Sequence, residues 1–528
     1  MSPSAAANPL LLLIAAALAA LTAVKPAAAD TISFELHHKF SARVQEWTAS
    51  RGGGGGGDLP AKGTAEFYAA LAQHDRRLHG RLLAPSDNSS AELLAFSPYG
   101  NVTARIDSLG SLYYAFLEVG TPKQEFLVAL DTGSYLFWLP CDCLQCAPSY
   151  NSYLNLTLNT YSPGNSSTSQ SVPCSSSLCQ ASCPANSSCP YEMLYADGST
   201  TSGVLVADTL YLMTEGGAAP LSVEPTVVFG CGMNQTGGFL TAGFGLFGLS
   251  INSLAVPNML ASNGLISNSF SMCFSEDHLG RLDFGDKGSP QQQETPLVGR
   301  NYYAIKITTT IVGNTTIARP FTAIVDSGTS FTYLVEPIYS SFTKSFDSQV
   351  QERRIPPSQD LLFDYCYYLN PNQSTIRGPI TLFVTEGGGN FPVHDPIVWL
   401  IDKRSSAPVA YCLAVFSTSE AFSIIGENFF TGLRMVFDRE RMILGWENSD
   451  CYKSIASSTI SPSSSPPSPS ARPSSPPSSP LTLTSSPGNS PSSPIEPRLI
   501  QGGGGSCLRA GRSMLLMVPI FFVAMALI

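Results

Sequence analysis

The sequence has few charged residues, and it lacks the excess of basic residues that nucleic-acid binding requires. Only 13% of the 528 residues are charged, and the formal net charge is −10. Because a protein that neutralises phosphates needs clustered Lys and Arg, we expect no nucleic-acid partner. The hydrophobic fraction of 43% is nevertheless enough to fill one or two large lobes.

Hydrophobic runs of membrane length are also missing. The apolar runs at residues 10–24 and 514–528 each have 15 residues, whereas a transmembrane helix needs about 20. The first run precedes the sequence Pro-Ala-Ala-Ala at 26–29, a small-residue cleavage pattern that predicts a signal peptide over residues 1–29. No Lys or Arg precedes this run, so a signal anchor is the alternative.

The second apolar run follows small residues at 502–506 and a polar spacer with two arginines. This order of parts is typical of a glycosylphosphatidylinositol (GPI) attachment signal. We expect residues 501–528 to be that signal, with Gly504 as the attachment residue, and a single membrane helix is the alternative. Residues 454–500 are dominated by Ser and Pro and predict an extended stalk.

Thirteen cysteines and eight Asn-x-Ser/Thr sequons indicate the secretory pathway. Twelve cysteines lie between Cys141 and Cys451, an even number that favours six disulfides whose pairing stays open, and Cys507 is the odd one. Cys143-Leu-Gln-Cys146 could suggest a metal site, but a secreted chain favours disulfides, and we expect neither metal nor cofactor. The predicted glycosylation sites are Asn88, Asn101, Asn155, Asn165, Asn186, Asn234, Asn314 and Asn372.

Residues 30–105 are predicted to form a removable pro-segment. They include six consecutive glycines, Gly52–Gly57, and a basic cluster between His74 and Arg81. A basic peptide can cover an acidic cleft until acid weakens the pairing. A disordered surface arm that stays attached is the alternative.

From about Ile106 to Cys451, short runs of Val, Ile, Phe, Tyr and Thr alternate with Gly, Pro, Asn and Ser. This pattern is typical of a mainly β protein. Helical periodicity is scarce, and one short helix is predicted at Glu336–Phe342.

The most informative feature is an internal repeat. Phe126–Leu139 and Phe321–Leu334 align without gaps over 14 residues, each with a hydrophobic strand, an Asp-Thr/Ser-Gly-Ser/Thr turn and an apolar exit. An apolar-apolar-Gly element follows each copy. Repetition of this two-part motif predicts two related lobes, at residues 106–298 and 299–453.

The repeated turns place Asp131 and Asp326 in equivalent positions. If the turns meet, the two carboxylates cannot both ionise easily, so one pKa rises and the pair shares a proton. One Asp can then act as a base on water while its protonated partner polarises a peptide carbonyl. A single copy would be an ordinary Asx turn, but two copies in matching contexts favour catalysis.

These motifs resemble those of the pepsin-like aspartic proteases, a bilobal, mainly β fold with its active-site cleft between two pseudo-twofold-related lobes. The resemblance implies that Asp131 and Asp326 form the catalytic dyad. The residues that it implies as support for the dyad are Thr132, Gly133, Ser134, Ser327, Gly328 and Thr329.

Within the two turns, the resemblance implies separate roles for the hydroxyl residues. Thr132 and Ser327 would interlock the turns, and Ser134 and Thr329 would hydrogen-bond the outer carboxylate oxygens. Tyr135 departs from the residue types common after the first motif, and we expect altered local packing rather than inactivity.

The segment from Tyr191 to Ser199 resembles the flap hairpin of the family, whose tyrosine covers the substrate. A tryptophan that steadies this tyrosine is expected as well. The flap and substrate residues implied in this way are Tyr195, Gly198, Ser199 and Trp138.

Within the family, the chain is similar to the plant nucellin-like and nepenthesin-like group. Tyr113-Tyr114, Gly120-Thr121-Pro122 and a cysteine-rich insertion before the flap carry this similarity. It implies a monomeric, secreted aspartic endopeptidase that acts on polypeptides at acidic pH, GPI-anchored at the outer face of the plasma membrane or located in the cell wall. The alternatives are a catalytically inactive peptide-binding or inhibitor-binding protein of the same fold, and a cell-wall glycoprotein whose stalk is the functional part.

Overall fold

The computed structural model describes residues 31–51, 60–78, 111–147, 150–151, 156–195, 198–215, 221–240, 244–277, 279–300, 302–356, 361–369, 378–393, 396–402 and 405–452. The predicted signal peptide, stalk and GPI signal lie outside these residues, as do Gly504, Asn88, Asn101, Asn155 and Asn372.

The described residues are mostly β-strands. In chain order, the strands are β1 (Thr31–His38), β2 (Tyr113–Val119), β3 (Gln124–Asp131), β4 (Trp138–Gln145), β5 (Tyr150–Asn151), β6 (Leu156–Thr157), β7 (Gln170–Ser171), β8 (Pro190–Leu194), β9 (Thr200–Glu215), β10 (Ser222–Val223), β11 (Thr226–Gln235), β12 (Gly245–Gly248), β13 (Ser269–Phe274), β14 (Leu279–Phe284), β15 (Gln293–Pro296), β16 (Ala304–Val312), β17 (Thr315–Ile317), β18 (Phe321–Val325), β19 (Thr332–Val335), β20 (Cys366–Tyr368), β21 (Thr381–Thr385), β22 (Asn390–Pro392), β23 (Ile397–Ile401), β24 (Pro408–Leu413), β25 (Val415–Thr418), β26 (Ser423–Ile425), β27 (Leu433–Asp438) and β28 (Ile443–Asn448). The α-helices are α1 (Ala42–Ser50), α2 (Ala65–Leu78), α3 (Val256–Ser262) and α4 (Ile338–Asp347). Short 3-10 helices lie at Pro163–Asn165, Gly237–Leu240 and Glu427–Phe429.

Two large sheets carry the two copies of the repeat. In the 15-stranded sheet the central order is β11-β4-β12-β3-β2-β1-β14-β13-β27-β28-β15. In the eight-stranded sheet the order is β22-β21-β16-β18-β26-β19-β25, and the eighth strand, β17, pairs with β16. The last strands, β27 and β28, pair with β13 and β15, so the second half of the chain supplies strands to both sheets. The mainly β, two-lobed fold predicted from the sequence is confirmed.

The two-part motif has the same geometry in both sheets. β3 runs parallel to β12 with Asp131 opposite Gly248, and β18 runs parallel to β26 with Val325 opposite Ile425. Asp326 therefore follows its strand at the level where Asp131 ends the first one. The two copies of the repeat are therefore structurally equivalent.

Aromatic side chains fill the core of each lobe. Phe137 contacts Phe229 and Phe247, with ring centroids 5.2 and 5.1 Å apart, in the first lobe. Phe331 and Phe416 lie 5.6 Å apart in the second. Since burying one large apolar side chain stabilises a fold by about 1.5–3 kcal/mol, these clusters fix the strands that end in the two turns.

Helix α4 differs in its bounds from the helix predicted at Glu336–Phe342. It begins at Ile338, with Pro337 as its N-cap, and it continues to Asp347. Its buried residues recur at helical spacing: Ile338, Tyr339, Phe342, Thr343 and Phe346. Packing of this apolar face extends the helix beyond the run recognised in the sequence.

The N-terminal segment is folded against the two β lobes in both of its described parts, residues 31–51 and 60–78. Strand β1 lies between β2 and β14 in the large sheet, and Ile32 and Leu36 are buried. The alternative of a disordered surface arm therefore does not hold for these residues.

Six disulfides are present, as the even number of cysteines predicts. They are Cys141–Cys231, Cys143–Cys146, Cys174–Cys183, Cys179–Cys189, Cys273–Cys451 and Cys366–Cys412. Cys143 and Cys146 are bonded to each other, so their thiolates are not free to bind a metal. Within the described ranges, no helix combines the length and apolar character needed to cross a membrane.

Candidate active site

The turn after β18 holds Asp326 through hydrogen bonds to both of its carboxylate oxygens. The backbone N–H of Gly328 donates to one carboxylate oxygen at 2.9 Å, and the Thr329 hydroxyl donates to the other at 2.6 Å. The side chain of Asp326 is nearly buried, with 9% exposure. These donors fix the direction of the carboxylate, as expected for a group that must be aligned before it reacts.

The turn after β3 holds Asp131 in a related way. The backbone N–H of Gly133 donates to Asp131 Oδ1 at 2.7 Å. The hydroxyl of Ser134 is buried, and its interaction with the Asp131 carboxyl lowers the pKa of that carboxyl. A hydrogen bond from Ser134 to the outer carboxylate oxygen, implied by the resemblance, stays a prediction.

The two turns interlock at the centre of the molecule. The backbone N–H of Ser327 donates to Thr132 Oγ1 at 3.3 Å, and the two hydroxyl oxygens lie 3.4 Å apart. Both side chains are buried. The interlock brings together residues 195 positions apart in the sequence, and with them Asp131 and Asp326.

Glycine is required where the second part of each motif packs against its turn. A Cβ on Gly248 would lie 2.4 Å from the carbonyl carbon of Tyr135, and a Cβ on Gly426 would lie 2.2 Å from the carbonyl oxygen of Phe331. Contacts this close exclude any side chain, which explains why both copies end in Gly. Tyr135 itself is half-buried against the core.

The electrostatics of the site favour a shared proton. The pKa of Asp131 is raised to about 6, mainly because the carboxyl is buried and secondly because of the negative charge of Asp326. Two carboxyls in this relation titrate as a pair. At mildly acidic pH the pair can therefore supply an acid and a base together.

A hairpin formed by β8 and β9 bears Tyr195. Its turn is closed by bonds from Tyr195 N to Ser199 O and from Gly198 N to Tyr195 O, both 2.9 Å, and Gly198 has a φ of +81° that favours glycine. Trp138 Nε1 donates to the Tyr195 hydroxyl at 2.9 Å. Burial, followed by the charge of Asp131, raises the pKa of Tyr195, so its hydroxyl stays protonated beside the dyad.

Phe239 is a site residue that the sequence reasoning missed. Its ring makes edge-on contacts with both Trp138 and Tyr195, each with centroids 5.0 Å apart. The residue lies in a 3-10 turn among glycines, so no periodic pattern marks it. His74 and Asp75 on α2 were also missed as contacts of the second turn.

Two matching aspartate turns in related β lobes, beneath a hairpin that bears a tyrosine, define an aspartic-protease type of fold and site. Two domain families match consecutive parts of the chain: Xylanase inhibitor N-terminal at residues 113–286 and Xylanase inhibitor C-terminal at residues 302–448.

Curated relatives and solved structures agree with this class. Aspartyl protease family protein 1 of Arabidopsis thaliana is 43% identical over 447 residues, which are 82% of this chain and 83% of the relative. Aspartic proteinase nepenthesin-1 of Nepenthes gracilis is 30% identical over 370 residues, or 64% of this chain and 78% of the relative. The chain belongs to the pepsin-like aspartic protease family of plants.

Among solved structures, conglutin gamma, a basic 7S globulin from lupine seeds, has a TM-score of 0.51 and 19% identity, and the match covers 65% of this chain and 92% of that one. Basic 7S globulin from soybean has the same TM-score with 21% identity, over 65% and 93% of the two chains. At these identities the likeness shows the fold alone.

Proposed function

We propose that the protein is an aspartic endopeptidase that hydrolyses peptide bonds in polypeptide substrates at acidic pH, with a water molecule activated by Asp131 and Asp326. The observation that carries this proposal is the meeting of the two aspartate turns through Thr132 and Ser327. The aspartic proteases among the relatives support it.

In the proposed reaction the dyad holds one proton, and the raised pKa of Asp131 favours this carboxyl as its holder at mildly acidic pH. The ionised carboxylate takes a proton from water as the water oxygen attacks the peptide carbonyl carbon. The protonated carboxyl gives its proton to the carbonyl oxygen. The C–N bond then breaks as the carboxyl that took the water proton gives it to the departing amine nitrogen, and the other carboxylate recovers a proton from a hydroxyl of the tetrahedral intermediate.

Besides the proton transfers of the dyad, the reaction requires that water is excluded and the substrate is positioned. The hairpin supplies both. Tyr195, Trp138 and Phe239 form a continuous aromatic group on the flap side of Asp131. An apolar wall of this kind favours substrates with a large apolar side chain beside the scissile bond.

The test is digestion of a denatured protein by the purified protein at several acidic pH values, with and without the inhibitor pepstatin. Cleavage that pepstatin blocks, and that Asp326→Ala abolishes, is the expected result. Cleavage that survives in Asp326→Ala would come from a contaminating enzyme and would contradict the proposal.

A second candidate is a binding protein without catalytic activity. The matched domain families, which are described as xylanase inhibitor domains, favour it. The intact dyad argues for the enzyme. Pepstatin binding without any cleavage would favour the binding protein.

We also propose that the protein acts as a monomer in the secretory pathway and is held by a GPI anchor at the outer face of the plasma membrane. The six disulfides and the exposed sequon residues Asn165, Asn186 and Asn314 support secretion, whereas Asn234 is only partly exposed. The anchor rests on the order of the C-terminal parts. Phosphatidylinositol-specific phospholipase C should release the protein from intact cells. Retention, with recovery of a peptide containing Phe521 and Phe522, would contradict the anchor.

A further inference from the structure

The segment behind the first aspartate turn is held by a tyrosine from the second half of the chain. Leu249 directly follows β12, and its backbone N–H donates to the carbonyl oxygen of Asp131 at 2.8 Å. The carbonyl oxygen of Leu249 accepts the hydroxyl of Tyr303 at 2.6 Å. Leu249 is therefore hydrogen-bonded to Asp131 through its N–H and to Tyr303 through its carbonyl.

The main chain of Tyr303 is hydrogen-bonded to the second copy of the repeat. Tyr303 directly precedes β16, and its carbonyl oxygen accepts the backbone N–H of Val325 at 2.9 Å. Val325 is the last residue of β18 and directly precedes Asp326. One residue thus connects the segment that supports Asp131 with the strand that leads to Asp326.

This connection is separate from the contact between Thr132 and Ser327. That contact joins the two turns directly, whereas Tyr303 joins Leu249 and Val325 behind them. A single hydrogen bond between two turns leaves them free to rotate about it, and a second connection at another point restricts that rotation. Both the distance and the relative orientation of the two carboxyls are therefore constrained, as proton transfer within a dyad requires.

Packing holds the ring of Tyr303 in place. The ring makes edge-on contacts with Phe270 and Phe437, with centroids 5.8 and 4.7 Å away, and the residue is 1% exposed. Burial raises the pKa of Tyr303, and the charge of Arg439 lowers it only in part, so the hydroxyl stays a donor at acidic pH. Because Leu249 is also fully buried, loss of this hydroxyl would deprive its carbonyl of a donor that bulk water does not replace.

Arg439 supports the same segment at the next residue. Its Nη2 donates to the carbonyl oxygen of Ser250 at 3.3 Å, and the backbone N–H of Ser250 donates to the carbonyl oxygen of Ser134 at 2.9 Å. The segment therefore keeps this second support when the Tyr303 hydroxyl is removed. We expect loss of the hydroxyl to displace Asp131 slightly rather than to unfold the turn.

We propose that Tyr303 is a positioning residue of the peptidase, which fixes Asp131 relative to Asp326 by joining Leu249 to Val325. This inference rests on the proposed function and deepens it. Because Tyr303 is buried, it acts through these two contacts and not by touching the substrate. A tyrosine with a purely structural role would affect stability alone, whereas a positioning residue also affects kcat and the titration of the dyad.

The test is the variant Tyr303→Phe, which keeps the ring and the main-chain carbonyl and removes only the hydroxyl. We expect kcat on a peptide substrate to fall about tenfold at a nearly unchanged KM, because the flap and the cleft are not altered. The charge of Asp326 raises the pKa of Asp131, and a less closely held pair interacts less. The alkaline limb of the pH profile of kcat/KM should therefore move to lower pH, by about half a unit.

Tyr367→Phe is the matched control. Tyr367 is equally buried, with 1% exposure, and its hydroxyl donates at 2.8 Å to Asp347, the last residue of α4. Both variants lose one buried hydrogen bond and should lose similar stability, measured as Tm, but the control should keep kcat and the pH profile. Equal changes of kcat and pH profile in the two variants, or an unchanged kcat and profile in Tyr303→Phe, would overturn the positioning role.

A carbon-13 NMR titration of labelled aspartate carboxyls checks the inference without catalysis. If the unsubstituted chain and both variants all fail to cleave the substrate, the proposed peptidase function fails, and the titration decides on Tyr303 alone. A higher pKa of the dyad that is lower in Tyr303→Phe than in Tyr367→Phe would support the connection through Leu249 and Val325. Equal values in the two variants would overturn it.

Discussion

Ser327 donates its backbone N–H to the hydroxyl oxygen of Thr132, 3.3 Å away, across the boundary between the two repeated turns. This bond joins a main-chain group of one copy to a side chain of the other. Since each turn also orients its own carboxylate through a glycine N–H, the bond couples the positions of Asp131 and Asp326.

Thr132→Val should lower kcat/KM about ten- to a hundredfold, because the isosteric side chain leaves the Ser327 N–H without its acceptor and loosens the dyad. Thr132→Ser keeps the oxygen and is the control, with near-normal activity expected. A positioning role also predicts that Thr132→Val shifts the pH profile of kcat/KM, since the pKa of Asp131 depends on the nearby charge of Asp326. An unchanged profile with lowered stability would indicate a purely structural role.

Asp131→Ala and Asp326→Ala should each abolish proteolysis, with a loss of at least about a thousandfold in kcat, because acid and base are both needed in one step. Folding should change little, since either substitution removes one of two carboxyls that repel each other when both are ionised. The thermal midpoint and the rate on a peptide substrate check both statements. Near-normal turnover in either variant would show that the two carboxyls do not act as a pair.

Tyr195→Ala should impair catalysis mainly through kcat/KM, because the flap positions the peptide and excludes water above an intact dyad. Tyr195→Phe keeps the contact with Phe239 and removes only the hydroxyl that Trp138 binds, so a smaller loss is expected. Steady-state kinetics of both variants separate packing from hydrogen bonding. Unchanged kinetics in Tyr195→Ala would mean that this hairpin does not cover the substrate.

The parts of the site that could be read from the sequence are those whose signal is local. The strand and turn around Asp131 are formed by consecutive residues, and the repetition of the same pattern around Asp326 identifies the two aspartates as a pair. Contacts between segments that are distant in the chain have no recognisable sequence pattern. Ser330 and Asp75 are 255 positions apart, and a buried aspartate on an amphipathic helix resembles an exposed one in sequence. The pairing of the cysteines stays open in the sequence for the same reason, since the number of bridges follows from the composition but the partners follow from the fold.

Raising the pH toward 8 should loosen α2 from the second turn. The pKa of Asp75 is raised to about 7, because burial outweighs the hydrogen bonds from Ser330, Phe331 and Tyr333. When α2 is undocked, the solvated carboxyl has its ordinary pKa near 3.8, so between these values only the docked state binds the proton. Docking of α2 is therefore strongest in acid and is lost as the pH rises through about 7. This dependence is opposite to the one expected if acid released the basic cluster from an acidic cleft.

The charged groups around Asp75 do not all act in one direction. The pKa of Glu427 is also raised to about 7, first by burial and, to a smaller extent, by the charge of Asp75, whereas the hydrogen bond with Tyr113 and the charge of Lys62 lower it. The charge of Arg76 lowers the pKa of Tyr333, which donates to Asp75. Amide hydrogen exchange of peptides from residues 65–78, corrected for the intrinsic rate at each pH, measures docking without relying on catalysis. Protection should fall between pH 5 and pH 8 in the unsubstituted chain, and Asp75→Asn should show a much weaker dependence. Protection that rises over this range would mean that acid releases the helix, as the basic cluster alone would predict.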